Sequence, residues 1–262
     1  HMTAIAHSGL DLYARDGKGA WRWAGFGAPF KFPTPEVRLN KTIFDSAWRE
    51  YMVYLPLRNA VSKLEIGVHR DFGFDPLPPR RQKPIVFYGT SIVHGACASR
   101  PGMCHPAILG RRLDVPTINL GFAGRGRMDP PVADLLTELD PSVFVIDCLP
   151  NMDDKLTAER TAPLVRKLRA ARPATPIVLV EDRTLADSPF ISVQREHHTA
   201  RRRAQRDAFD QLIAEGVANL HYIEGEHLLG DDGDATVDRS HPSDLGFARM
   251  ADALEPRLRS LI

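Results

Sequence analysis

The stretch IVFYGTSIVHG, residues 85–95, decides how the chain reads. Four apolar residues, Ile85 to Tyr88, run unbroken into Gly89, and Thr90 and Ser91 follow at once. A short, continuous apolar run of this kind has the pattern of a strand buried on both faces. Glycine permits the sharp turn that must follow it. Ser91 thus stands beyond the carboxyl end of a strand, where open parallel sheets bind their ligands. Taken alone it reads as well as a helix N-cap, a position for which serine is among the best residues.

Similar runs recur at 117–120, 143–148, 177–180 and 220–223, each rich in Val, Ile or Leu. Helical patterns lie between and after them, at about 103–113, 130–139, 155–171, 197–215 and 243–261. Alternation of strands and helices argues a parallel sheet covered on both faces. Residues 1–80 have a different texture. GAWRWAGF (19–26), FDSAWREYMVYLPL (44–57) and SKLEIGVHR (62–70) are short aromatic or β-branched runs broken by Gly and Pro. Alternation at Tyr51, Val53, Leu55 and at Leu64, Ile66, Val68 predicts half-buried strands of a small antiparallel unit. The proline-rich, basic stretch DFGFDPLPPRRQKP (71–84) then reads as a linker, and the division falls at residue 80/81.

The bulk numbers suit a soluble globular protein. In 262 residues, 34 Lys and Arg face 33 Asp and Glu, a net charge of +1, and 43% of residues are hydrophobic. That balance points away from nucleic acid or a membrane surface as partner. No apolar run reaches the ~20 residues that span a bilayer. The three cysteines, Cys97, Cys104 and Cys148, cannot all pair within one chain, and no zinc-type spacing occurs. A reducing, cytoplasmic compartment is the mild expectation. The opening His1-Met2 reads as a cloning remnant, which leaves open a leader removed upstream.

Chemistry should gather in the loops after the strands. These are GTSIVHG (89–95), GFAGRG (121–126), LPNM (149–152) and EDRT (181–184), with VDRSHPSDLG (237–246) before the last helix. A serine hydroxyl is a weak nucleophile until a base takes its proton. Asp238 and His241, three apart, suit that role, in which the carboxylate fixes the imidazole and leaves Nε2 for the serine. Read blandly, Asp238 closes a turn and His241 is a surface histidine before Pro242. Oxyanion donors are the third requirement. The Ser91 amide, the Gly124 amide and the Asn151 side chain are candidates, although a turn glycine and a capping asparagine read equally well.

The ordered set GTS (89–91), NLGFAG (119–124), LPN (149–151) and DRSHP (238–242) resembles the blocks of the SGNH (GDSL-type) hydrolase superfamily. The resemblance implies a three-layer, flavodoxin-like α/β domain with a five-stranded parallel sheet over 81–262. It implies Ser91 as nucleophile, Asp238 and His241 as its partners, and Ser91, Gly124 and Asn151 as oxyanion hole. SGLDLY (8–13) and YLPLRNAVSKLEIGV (54–68) are similar to the GxDLY-type, jelly-roll-like β-sandwich that precedes some members, here 1–80. Such two-domain members resemble carbohydrate esterases and a few acyl-transferring relatives. One departure stands out: the usual aspartate before the serine is Thr90.

An α/β-hydrolase elbow fits less well, because G-x-S-x-G would need glycine where Val93 stands. The leading expectation is a serine esterase removing a small acyl group, acetyl first, from a hydroxylated small molecule or glycan. It needs no metal and no organic cofactor, and its oligomeric state is open. An acyltransferase with the same triad, and a carbohydrate-binding protein with a vestigial site, are the competing readings.

Other features carry less. HHTARRRAQR (197–206) reads as an acid-paired helix face, with the active-site mouth as its second reading. DDGDATVD (231–238) lacks the sixth-position glycine and closing glutamate of a calcium loop. His94, Arg100 and His105 are candidates for the acyl or alcohol pocket, and Glu181 and Asp182 for sugar hydroxyls.

Overall fold

A computed structural model describes residues 1–31, 33, 36–39 and 47–262. The N-terminal unit starts with helix α1 (Ala4–Ser8), whose first turn is capped by the Thr3 hydroxyl accepting from the Ala6 amide at 3.0 Å. Strands β1 (Leu10–Arg15), β2 (Trp21–Gly27) and β3 (Tyr51–Tyr54) form an antiparallel sheet in the order β2-β1-β3. The strand expected at Tyr51, Val53 and Leu55 is present over the first two as β3, which ends one residue short of Leu55, and the start of its run, 44–46, lies outside the described residues. The strand expected at Leu64, Ile66 and Val68 does not form. Those side chains are 50%, 58% and 51% exposed, and among the described residues no neighbouring strand pairs with the segment. Alternation alone cannot make a strand where the ladder has no partner.

The second unit runs β4 (Ile85–Gly89), α2 (Ser91–His94), α3 (His105–Leu113), β5 (Thr117–Gly121), α4 (Pro130–Leu136), β6 (Val143–Asp147), α5 (Asp154–Ala171), β7 (Ile177–Val180), α6 (Ser192–Ala214), β8 (Leu220–Ile223) and α7 (Asp244–Arg259). Its five strands are parallel, in the order β5-β4-β6-β7-β8. All five expected strands appear within a residue of their expected ends. Helix α6 begins five residues earlier than its charge pattern suggested, at Ser192.

The two faces of the sheet bury alternate residues. Ile85, Phe87, Val145 and Val178 pack with Phe247, Leu254 and Leu258 of α7 on one side. Val86, Tyr88, Phe144 and Ile146 pack with Val165 and Leu168 of α5 on the other. This is why β4 is apolar at every position and why its direction, not its pattern, sets which end is open. Gly89 lies level with Gly121 on one neighbour and Asp147 on the other, so the loops that follow all leave from one edge.

His105, first residue of α3, is fully buried between Phe247 and Phe87, and neither ring nitrogen has a partner among the described residues. Burial pushes its imidazole down to about 3. The unfolded chain therefore takes up a proton below the ordinary value of about 6.5 that the folded chain refuses, so stability falls with pH over that window. Against His105→Phe, the wild type should lose about 1.4 kcal/mol more per pH unit between roughly 6.5 and 3. Denaturant melts at several pH values check this; a pH-independent difference between the two proteins would contradict it.

Candidate active site

Thr90, not Ser91, is the N-cap of α2. Its backbone is extended and its hydroxyl accepts from the Ile92 amide at 3.2 Å. Aspartate caps in the same way, which accounts for threonine in its place. Ser91 is left at the first helical position, with Oγ 2.9 Å from Nε2 of His241. Nδ1 of His241 lies 2.8 Å from Oδ2 of Asp238. A carboxylate only accepts, so Nδ1 carries the proton and Nε2 is left to accept from the serine hydroxyl.

The loop bearing Asp238 and His241 is closed on itself. Thr236 and Pro242 form an isolated antiparallel bridge, the Val237 amide donates to the His241 carbonyl at 2.9 Å, and the Ser243 amide to Ala235 at 2.9 Å. Within it, Oδ1 of Asp238 accepts from the amides of Ser240 and His241 at 3.1 and 2.7 Å. Burial works to raise the Asp238 carboxyl, but the amide and imidazole of His241 outweigh it and hold the group below its usual range. It is therefore ionised at neutral pH.

Gly124 has φ +71 in the turn after β5, a conformation glycine adopts without strain. That turn hangs on the strand below Ser91, since the Phe122 amide donates to the Gly89 carbonyl at 2.9 Å. Asn151 ends a single 3-10 turn, Leu149–Asn151, that follows β6. Among the described residues the Ser91 and Gly124 amides and the Asn151 side chain make no hydrogen bond. Three unengaged polar groups thus sit in the loops beside a linked Ser-His-Asp set.

Several expected pocket residues serve the fold instead. Arg100 forms an ion pair with buried Asp11 at 2.8 Å, and Nε2 of His94 meets the Leu57 carbonyl. His105 is sealed in the core as described. Glu181 accepts from the Tyr222 hydroxyl at 2.6 Å and the Gly225 amide at 2.9 Å. Asp182 is buried among Arg183, His198 at 3.2 Å and Arg201 at 2.5 Å. A carboxylate so engaged has nothing to offer a sugar hydroxyl. The basic run is largely acid-paired as expected, with Arg206 on Glu224 at 2.9 Å.

Two features had no reading in the sequence. Asp11, in the GLDLY stretch, accepts from Arg100, from the Gly102 amide at 3.0 Å and from the Trp23 indole at 2.8 Å. It ties the N-terminal sheet to the segment after α2. Arg183 donates from Nε to the Ser240 carbonyl at 3.2 Å and from Nη2 to the Ser240 hydroxyl, fixing the loop of Asp238 and His241 to the end of β7. Its signal was present in EDR directly after a strand, but no spacing rule links it to residue 240.

Among the described residues, one group has the spacing of a metal site: His1, Cys97 and Asp238, with ligand atoms within 4.8 Å of one another. Burial pushes the Cys97 thiol up to about 11, and Asp238 is already committed to His241, so the donor set is poorly suited to a cation. No helix among the described residues is long and apolar enough to cross a membrane.

Comparison with known proteins agrees with this architecture. Residues 82–259 match the GDSL-like Lipase/Acylhydrolase family, and residues 1–74 match the family described as the N-terminus of Esterase SGNH hydro-type. A protein of Bacteroides ovatus ATCC 8483 assigned to the GDSL-like lipases is 36% identical, with TM-score 0.90 over 99% of this chain and 76% of that one. A salicylyl-acyltransferase from a tetracycline biosynthetic pathway is 17% identical, TM-score 0.67, over 97% of this chain and 73% of that one. A family two carbohydrate esterase from Clostridium thermocellum, in complex with cellohexaose, is 14% identical, TM-score 0.60, over 98% and 87%. Among curated proteins no significant sequence match is found.

Proposed function

The chain belongs to the GDSL-like lipase/acylhydrolase family and is an SGNH-type hydrolase, and on that basis we propose that it is a serine esterase releasing a small acyl group, acetyl first, from a hydroxylated substrate such as a glycan. The unbroken run from Ser91 Oγ through His241 to Asp238, at 2.9 and 2.8 Å, carries this reading.

Nε2 of His241 takes the Ser91 proton as Oγ bonds to the ester carbonyl carbon. The carbonyl oxygen becomes an oxyanion, which accepts from the Ser91 and Gly124 amides and the Asn151 amide group. Ionised Asp238 stabilises the imidazolium. The imidazolium returns the proton to the leaving alkoxide as the carbon–oxygen bond breaks, and an acyl-serine remains. His241 then deprotonates a water, which releases the carboxylic acid and restores the hydroxyl. The glycan part of the reading draws on the shared fold with a carbohydrate esterase holding cellohexaose.

An acyltransferase, in which a bound alcohol takes the place of water, uses the same groups, and an acyltransferase shares the fold. Product analysis with and without an acceptor alcohol separates the two. A serine-directed fluorophosphonate tests the site itself: the modified peptide should carry the label on Ser91, with labelling slowed in His241→Gln. Attachment to another serine would overturn the assignment.

A further inference from the structure

Beside the loop of His241 lies an open cavity of 310 Å³, lined by Pro150, Leu185, His197, Arg201, Arg239 and Ser240, with Arg183, Val193 and Gln194 completing the wall. Pro150 and Ser240, which directly precede Asn151 and His241, are among its lining, so it lies beside two loops of the candidate active site. Three guanidinium groups and an imidazole line it, and no carboxylate does.

The acids around this wall are already committed, Asp238 to His241 and its own loop. Asp182 holds both Arg183 and Arg201, and Asp187 holds Arg239 at 3.1 Å. Burial, and next the neighbouring Asp182, push the Asp147 carboxyl up to about 7 against the pull of Arg183. The donors are not used up either. Arg239 commits one Nη1–H to Asp187, and among the described residues its Nε and Nη2, and both ring nitrogens of His197, make no hydrogen bond. Nε of Arg201 is buried without a partner. Arg183, by contrast, is spent on Ser240 and Asp182 and serves as the rigid floor.

We infer that this cavity is a subsite for a carboxylate on the alcohol half of the substrate, held by the Arg239 fork and His197. Arginine suits such a role because its planar fork matches a carboxylate's two oxygens. The side of the ester follows from the chemistry. His241 hands its proton to the leaving alkoxide, and the wall of the cavity is built from the two residues that precede His241. The substrate class is then an acyl ester of a hydroxy acid, such as an acylated acidic sugar, with Leu185, Val193 and Pro150 as apolar surface for its ring or chain. This deepens the serine-esterase reading and rests on it for the placement of the alcohol.

The test compares 4-acetoxybenzoate with its neutral counterpart 4-acetoxybenzamide. Wild-type KM should be about tenfold lower for the benzoate, the scale of one charge-assisted contact. Arg239→Gln should bring the ratio of the two KM values close to one, with His197→Gln narrowing it less, and added salt should narrow it in the wild type. Calorimetric binding of both esters to Ser91→Ala gives the same comparison without turnover. A wild-type ratio of one, or a ratio that Arg239→Gln leaves unmoved, overturns the subsite while leaving the esterase reading intact. Preferential binding of the benzoate that Arg239→Gln abolishes, with no hydrolysis of either ester, upholds the carboxylate contact and overturns its placement on a leaving alcohol.

Discussion

Ser91→Ala lowers kcat/KM for an activated acetyl ester by about 10⁴-fold or more, and leaves the melting temperature nearly unchanged. The expected loss is large because nucleophile and base act as a unit: without Oγ, His241 has nothing to activate, and only the oxyanion donors and binding remain. The small thermal effect has its own reason. Thr90 does the capping, so Ser91 occupies a first helical position where alanine is a good residue. What is lost is one partly exposed hydrogen bond to His241, worth about 1 kcal/mol. Initial rates and thermal melts on the purified variant decide the matter. Turnover near the wild-type rate would remove Ser91 from the mechanism.

Gly126→Ala damages both stability and activity, whereas Gly124→Ala, two residues away, costs little stability. A Cβ on Gly126 would lie 2.1 Å from the Gly89 carbonyl oxygen, 2.4 Å from its carbon and 2.9 Å from the Thr90 amide nitrogen. All three are backbone atoms, and no rotamer change relieves the overlap. The turn after β5 must move away from the turn that presents Ser91, and the Phe122 amide bond to Gly89 goes with it. We expect about 3 kcal/mol of destabilisation, roughly 6–12 °C in melting temperature, with kcat/KM down by about 100-fold in the protein that remains folded. A Cβ on Gly124 meets nothing within 4 Å, so only its φ of +71 is penalised, by about 1 kcal/mol. Calorimetry and kinetics on the pair check the contrast. Equal melting temperatures for the two variants would refute the close approach at Gly126.

The parallel sheet was legible because strands buried on both faces must be apolar at every position, and little else in a soluble chain is. IVFY (85–88), VFVI (143–146) and IVLV (177–180) needed no tertiary information. The segment at Leu64, Ile66 and Val68 misled for the converse reason. Alternation records which side chains share a face, not whether a neighbouring strand is there to accept the backbone. The start of α6 was missed by five residues because its first turn, Ser192 to Arg195, is solvated and carries no apolar stripe.

Within the site, the chemical inventory and the pairing of Asp238 with His241 can be read along the chain, since groups three residues apart in a tight loop lie within reach of each other. The order of the strands likewise puts Ser91, Gly124 and Asn151 in successive loops at one edge. Packing had to supply the rest. Only in the folded molecule do Ser91 and His241, 150 positions apart, meet at 2.9 Å. Only there does Thr90 take over the capping, His105 enter the core, Arg100 bind Asp11, and Arg183 stand under Ser240. The physical division is between local and long-range terms. Backbone preference and hydrophobic period act over a few residues and are written along the chain, whereas charge pairing and burial depend on which distant surfaces the packed sheet brings face to face.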